Sequence, residues 1–419
     1  MFALYEALLW VVFLLLLPYF AIVGFLRGKY WSSARERFGG GKGKGGGPHD
    51  VWVQAVSVGE VAAAASLIDR LRALRPGLRF LVTTTTTTSQ AMARRLFASD
   101  TVTYFPVDFS FSVRRFLDRH EPRLFVCVET EIWPNAVRLS RARGIAVAIV
   151  NGRLSDASFG RYRRVRPLLA RVLRLYDAIL VRSEADRERF VAIGAREDRV
   201  RVTGNLKFDS VSTDVEPPEV ASEVLRLARG RPVFIAGSTM EGEDEMILPH
   251  LQRLIAKGCF VVLAPRKPQR FEIVAGLLTT SGIPWARRSE LETTRADRAD
   301  LLLLDTIGEL ARLYAIASAA FVGGSLVPTG GHNPIEPAAV GAPVAFGPYM
   351  ANFRAIAETF LASDAAVEVA NAAQLIAFVE RMIADEAARR ELAERGREVV
   401  ETNRGASEAS ARLLLELID

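Results

Sequence analysis

The run GGSLVPTGGHNPIEPAAVGAPVAFG, Gly323 to Gly347, decides the fold. The apolar AAFVGGS leading into it reads as a buried strand ending at Gly323-Gly324, and APVAFG reads as the next strand. Between them, Asn333-Pro334-Ile335-Glu336 spells a helix start. Asn is a preferred N-cap, Pro at the first helical position already has the right φ, and Glu three residues after Asn can close a capping box. Free N–H groups and a positive dipole end at such a start suit a phosphate or a nucleotide ribose. Ordinary capping without a ligand explains the same residues.

Outward from this run, the same alternation fills the chain. In the N-terminal half, VWVQAV, FLVTTTT, LFVCVE, AVAIVNG, AILVRS and VRVTGN read as strands. Amphipathic stretches such as EVAAAASLIDRLRALRP and RYRRVRPLLARVLRL read as helices between them. PVFIAGS, CFVVLAP, LLLLDT, AAFVGGS and APVAFG repeat the pattern further on, and the chain closes in charged helical sequence from Ala365. Such βαβ repetition predicts open parallel sheets with helices on both faces and ligands at the strands' carboxyl ends. The expected fold is α/β, two Rossmann-like domains facing each other across a cleft. The expected boundaries are residues 51–210 for the first domain, 211–231 for a polar, proline-containing linker and 232–419 for the second. At 419 residues two domains are the natural size.

The ends and the composition narrow the setting. Ala7 to Leu26 carries no charge, long enough to cross a bilayer, with Glu6 before it and Arg27, Lys29, Arg35 and Arg37 after it. A secretory signal has its positive charge on the other side, so residues 1–30 read as an anchor with the remaining bulk cytoplasmic. A helix lying in the interface, or a buried helix broken at Pro18, are the alternatives. Residues 31–50, with GGGKGKGGG at Gly39–Gly47, read as a flexible basic tether. The net charge of +6 and pI near 9.5 suit an anionic surface or substrate, but are too diffuse to indicate nucleic acid. Cys127 and Cys259 sit in apolar runs like buried small hydrophobes, and no Cys or His has metal-ligand spacing.

Several strand ends carry chemistry. Ser57-Val58-Gly59-Glu60 turns the first strand into its helix and again spells a capping box, yet it also aims Glu60 at the expected cleft as a proton acceptor. Glu129-Thr130-Glu131 abruptly ends LFVCV, the third strand on this reading, as either acid/base groups or a solvated turn. Lys207 in Gly204-Asn205-Leu206-Lys207 is a phosphate ligand or a surface lysine. In the second half, Pro265-Arg266 offers a guanidinium for bidentate phosphate binding. Gly308-Glu309-Leu310 opens a helix, and Gly237-Ser238-Thr239 ends a strand with a plain Ser/Thr cap as its simpler reading. Four such junctions in one half favour a nucleotide there, with Glu60 and Glu129 in the other half to activate a hydroxyl. Neither Walker A nor a complete G-x-G-x-x-G occurs, against ATPases and ordinary dehydrogenases.

Together these residues resemble the Kdo transferases, which add 3-deoxy-D-manno-octulosonic acid to the lipid A precursor of Gram-negative bacteria. VWVQAVSVGE, ETEIWPN, NGRLSDASFGRYRR, TGNLKFD, AGSTMEGEDE, APRKPQRF, GELARLYAIA and FVGGSLVPTGGHNPIEP carry the match along nearly the whole chain. The resemblance implies an inverting GT-B glycosyltransferase on the inner membrane, using CMP-Kdo and neither metal nor other cofactor. It implies Glu60 as general base and Glu129 and Lys207 as residues stabilising charge in the transition state. Pro265-Arg266, Gly308-Glu309-Leu310 and Asn333-Pro334-Ile335-Glu336 would bind CMP, with Ser57, Gly59, Ser238, Thr239 and Gly324 as further substrate contacts. Arg161, Arg163, Arg164 and Arg166 form a basic stretch for acceptor phosphates or headgroups, or a solvated helix face.

Gln54 stands where a His is usual, as do Met240 after Gly-Ser-Thr and Lys267 after Pro-Arg. These departures bear on donor-carboxylate contacts and on how many Kdo units are added. A transferase using a UDP-sugar, a sugar-nucleotide epimerase and a membrane-tethered binding protein are the competing readings. An epimerase has little use for an anchor, and a binder none for a base.

Overall fold

A computed structural model describes residues 1–27, 31–40, 47–211, 219–291 and 298–419, with side chains for all of these except 19–27, 31 and 32. The described chain forms two compact units, residues 1–210 with 404–419, and residues 211–403.

The first unit is built on a seven-stranded parallel sheet. Its strands are β1 (His49–Gln54), β2 (Phe80–Thr84), β3 (Thr101–Tyr104), β4 (Pro122–Val128), β5 (Ala146–Gly152), β6 (Ala178–Val181) and β7 (Val200–Val202). Their order is β3-β2-β1-β4-β5-β6-β7, so the strand order reverses between β1 and β4. Helices bury both faces, which is why central strands such as β4 and β5 are largely continuous apolar runs rather than alternating ones. Val51 and Val53 enter one core with Val82, Val126 and Val150, while Trp52 enters the other with Leu81, Phe125 and Ile149.

The second unit repeats the plan. Its strands are β8 (Val233–Thr239), β9 (Phe260–Pro265), β10 (Trp285–Arg287), β11 (Leu301–Leu303), β12 (Ala319–Val322), β13 (Val344–Phe346) and β14 (Val367–Glu368). Their order is β10-β11-β9-β8-β12-β13-β14, all parallel, reversing between β8 and β12. Cys127 and Cys259 are buried and unpaired, as their apolar surroundings imply.

Several expectations need correction. LFVCV is the fourth strand, because β3 precedes it at the sheet edge. RYRRVRPLLARVLRL is two helices, Asp156–Arg164 and Arg166–Leu173, since Pro167 cannot continue the first. In the linker, residues 212–218 lie outside the described residues, and Glu219–Ala228 is a helix whose Val220, Val224 and Leu227 join the second core.

The last helix, Ala406–Leu415, belongs to the first unit and not to a domain running from 232 to 419. Ala406, Ala411 and Leu414 pack in the core of α3 (Val58–Leu74), and Asp209 accepts the Gly405 and Ser407 amides.

The N-terminus differs from a simple anchor and tether. Helix α1 covers Phe2–Arg27, and among the described residues no helix is long and apolar enough to cross a membrane. Part of Ala7–Leu26 falls on side chains outside the described set. Within the tether, α2 covers Trp31–Arg37, Arg37 donates to the Thr85 carbonyl at 2.7 Å, and β1 begins at His49. Residues 41–46 lie outside the described residues.

Candidate active site

In the first unit, the carboxyl ends of β1, β4, β5, β6 and β7 bring together three carboxylates and three cations. Ser57 caps α3, its hydroxyl accepting the Glu60 amide. Glu60 returns to the Val56 N–H at 2.8 Å and to the Ser57 hydroxyl at 2.7 Å. Its pKa is nevertheless raised, because burial, helped by the nearby Glu129 carboxylate, outweighs the hydrogen bonds from Ser57 and Val56. A buried carboxylate with a raised pKa on the rim of a parallel sheet is suited to accept a proton. Gly59 is exposed beside it, and a Cβ there would meet only the Ser57 hydroxyl at 3.9 Å. The fold does not need glycine at that position, which leaves room for a ligand.

Glu129 follows β4 in the left-handed region, φ 60°, a conformation that costs free energy in a non-glycine residue. The turn sends its carboxylate to Arg153 Nε at 3.1 Å and Lys207 Nζ at 3.9 Å. Lys207 is placed by Asn205, whose side chain caps the turn Leu206–Asp209, and its pKa is lowered by burial and by Arg153 and Arg182. Glu131 is half-buried and has no hydrogen bond or ion pair among the described residues. Burial, Glu60 and Glu129 push it up to about 7.

Sequence reasoning missed Arg153 and Arg182, although Arg153 lies in the NGRLSD run and both directly follow strands. That position was the available signal.

The second unit collects a different set. β9 delivers Pro265 and Arg266, whose amide binds the Thr239 carbonyl at 2.9 Å. Arg266 and Lys267 are exposed and act on His332, whose pKa is pushed down to about 4 by burial and by those two cations. The His332 Nε2 is buried without a hydrogen-bond partner, and no motif singled this residue out. Glu336 is also near Arg266, its carboxyl raised by burial and lowered by Asn333 and Arg266. Asn333 accepts the Ile335 amide at 3.2 Å and donates to Glu336 at 3.3 Å. Asn333 therefore holds the turn, but Glu336 bonds its side chain and closes no capping box, and the helix is only Ile335–Ala339 with Pro334 at its cap position. Five residues make a weak dipole, so the polar groups rather than the helix carry this site.

Three other positions have structural partners. Gly324 is left-handed, φ 69°, and its amide is not open to a ligand: Glu243, fully buried, accepts the amides of Gly324, Ser325 and Leu326. Glu243 lies in AGSTMEGEDE, yet nothing in the spacing indicated this long-range role. Thr239 donates to buried Asp244, itself paired with Arg270, so it is no simple helix cap, and Ser238 before it has φ 57°. Gly308 leads through Glu309 into the four-residue helix Leu310–Leu313, with the Glu309 carboxylate held by Arg288 and Thr306.

Of the departures, Gln54 is buried and bonds Thr83 at 2.5 Å and Thr85 at 3.2 Å, while the Met240 amide binds Glu243 at 2.9 Å. Gln54 is thus part of the sheet's internal bonding.

The family model for 3-deoxy-D-manno-octulosonic-acid transferase (kdotransferase) matches residues 32–210. A 3-deoxy-D-manno-octulosonic acid transferase of Haemophilus influenzae is 33% identical, covering 98% of this chain and 97% of its own. The chain belongs to the Kdo transferase family. A second such transferase, from Bordetella pertussis, is 36% identical over 85% of each chain. This Kdo transferase is accordingly a glycosyltransferase, and the matched region carries all six charged groups of the first unit's rim. The crystal structure of a UDP-GlcNAc 2-epimerase from Neisseria meningitidis has a TM-score of 0.60 at 13% identity, covering 88% of this chain and 100% of that one. At that identity it shows a shared GT-B-like fold alone.

Proposed function

We propose that this Kdo transferase moves Kdo from CMP-Kdo to a hydroxyl of the lipid A precursor, lipid IVA, in lipopolysaccharide core synthesis, with inversion and without a metal or other cofactor. The reading rests on the rim of the first unit, where buried Glu60 stands beside Glu129, Lys207 and Arg153. The acceptor oxygen attacks the anomeric carbon of Kdo as the bond from that carbon to the CMP phosphate oxygen breaks. Glu60 takes the hydroxyl proton, and CMP leaves with the electron pair. General base catalysis of this kind is worth roughly 10²–10⁴ in rate. Lys207, held by Glu129, supplies positive charge as the phosphate becomes more anionic.

In the second unit, Pro265-Arg266, Gly308-Glu309-Leu310 and Asn333-Pro334-Ile335-Glu336 hold CMP, with Ser238 and Thr239 beside them. Exposed Arg266 is suited to the phosphate, and Asn333 and Glu336 to hydroxyl or base edges. Ser57 and Gly59 border the acceptor.

The apolar surface of α1 attaches the enzyme to the inner membrane, with both units on the cytoplasmic side. Leu4, Leu14 and Leu15 are each at least 60% exposed there. Arg161, Arg163, Arg164 and Arg166 are all exposed, and none has an acidic partner among the described residues. That arrangement suits acceptor phosphates or anionic headgroups.

A donor panel tests the proposal with detergent-solubilised enzyme and lipid A precursor. Turnover with CMP-Kdo and none with UDP-sugars is the expected result. Turnover with UDP-sugars alone, or sugar-nucleotide epimerisation without acceptor, would replace this donor and acceptor.

A further inference from the structure

The segment that presents Glu129 and Glu131 continues through Ile132 and Trp133 into the helix Pro134–Arg141. The start of that helix is held by the first residues of the chain. Asp108, buried to 3% exposure, accepts the amides of Asn135 at 3.0 Å and Ala136 at 2.8 Å. The Tyr5 hydroxyl donates to the same Asp108 carboxylate at 2.9 Å. Glu6 accepts from the Asn135 side-chain amide at 2.7 Å, and from the Ser110 amide at 3.1 Å and hydroxyl at 2.8 Å. The Asn135 side chain also donates to the Asp108 carbonyl at 2.6 Å.

Apolar contacts take the same path. Met1 and Phe2 pack against the same core cluster as Ile132 and Trp133, and the Arg138 guanidinium stands 5.1 Å from the Phe2 ring centre. Trp10 and Phe13 lie 4.6 and 5.6 Å from the Phe109 ring, centre to centre. Leu14 to Leu17, the next turn of α1, are exposed. One side of the first three turns of α1 is thus part of the first unit, while Leu4, Leu8, Val11 and Val12 stay exposed with Leu14 to Leu17 for attachment.

A membrane anchor alone has no use for this bonding. Asp108 is buried and Glu6 half-buried, and such carboxylates are costly unless their hydrogen bonds are filled. The bonds that fill them join residues 5 and 6 to 108–110 and 135–136. We propose that Tyr5 and Glu6 are positioning residues of the transferase, which through Asp108 and Asn135 fix the segment 129–133 and the carboxylates it carries. The inference rests on the role given above to Glu129. Attachment of α1 and the geometry of the rim are then parts of one rigid connection.

The isosteric variants Tyr5→Phe and Glu6→Gln of the full chain test this, because each removes bonding without removing volume. Amide hydrogen exchange across 129–136 is expected to accelerate by about tenfold in either variant. Transfer kcat is expected to fall by about tenfold to a hundredfold, the scale for a displaced catalytic group, with the CMP-Kdo KM and the liposome-bound fraction unchanged. Unchanged exchange would overturn the proposal, whatever the activity. Faster exchange with wild-type kcat would overturn it too, and would fault the role of Glu129 instead of the connection. A kcat that falls only in step with the liposome-bound fraction would return α1 to simple attachment. The exchange measurement needs no substrate, so it separates this inference from an error in the donor or acceptor.

Discussion

Glu131 is the residue whose environment differs most from what its spacing implied. As one of two glutamates ending an apolar strand it reads as catalytic slightly sooner than as a solvated turn, yet of the two only Glu129 has ionic partners among the described residues. With its pKa raised to about 7, the folded protein holds a proton on Glu131 that the unfolded chain has lost by pH 5 to 6. Stability therefore falls as pH rises from the ordinary value of 4.5 to about 7, the reverse of the usual salt-bridged carboxylate. Glu131→Gln is expected to raise stability on the order of 1 kcal/mol at pH 8, partial exposure having reduced the full value, and to change little at pH 5. Denaturant unfolding at the two pH values measures this, and equal effects at both would show that the carboxyl is not held protonated. The placement of Glu60 was legible because the cap that starts α3 also stands at the carboxyl end of β1. Arg153, Arg182 and His332 were not, since each acts through neighbours distant in sequence.

At the scale of elements, central strands were legible, and of the four edge strands only β7, read from VRVTGN, was. β1, β4, β5, β8 and β9 are continuous apolar runs because helices cover both faces. β3, β10 and β14 are two to four residues long, and their sequences TVTY, WAR and VE carry no such signal. The glycine-rich turn after β12 was located correctly but its purpose was not. Its amides look available for phosphate in the sequence, and Glu243 from the helix Glu243–Ala256 occupies three of them. Glu243→Ala would leave these buried N–H groups unsatisfied at about 1–3 kcal/mol each. The expected outcome is a loss of about 3 kcal/mol or more in the second unit, with weakened CMP binding, by calorimetric unfolding and titration. A variant with wild-type stability would mean that water replaces the carboxylate at no cost.

For the whole molecule, two βαβ units were legible because the pattern stops and restarts. Their exact extent was not. The closing helix Ala406–Leu415 is amphipathic in a way that fits either core, and only its contacts with α3 and Asp209 assign it to the first unit. The same holds at the other end, where Tyr5 and Glu6 sit beside an apolar stretch that hides their bonds to Asp108, Ser110 and Asn135.

The proposed division of labour between the units, acceptor activation on one and nucleotide binding on the other, depends most on Glu60. Its test is transfer of labelled Kdo from CMP-Kdo to lipid A precursor by wild type and Glu60→Gln, each also titrated with CMP. The expected result is product from wild type, a loss of roughly 10²–10⁴ in kcat for the variant, and unchanged CMP affinity. Activity within a few fold of wild type in Glu60→Gln would contradict this assignment, leaving Glu60 as the residue that closes the first turn of α3.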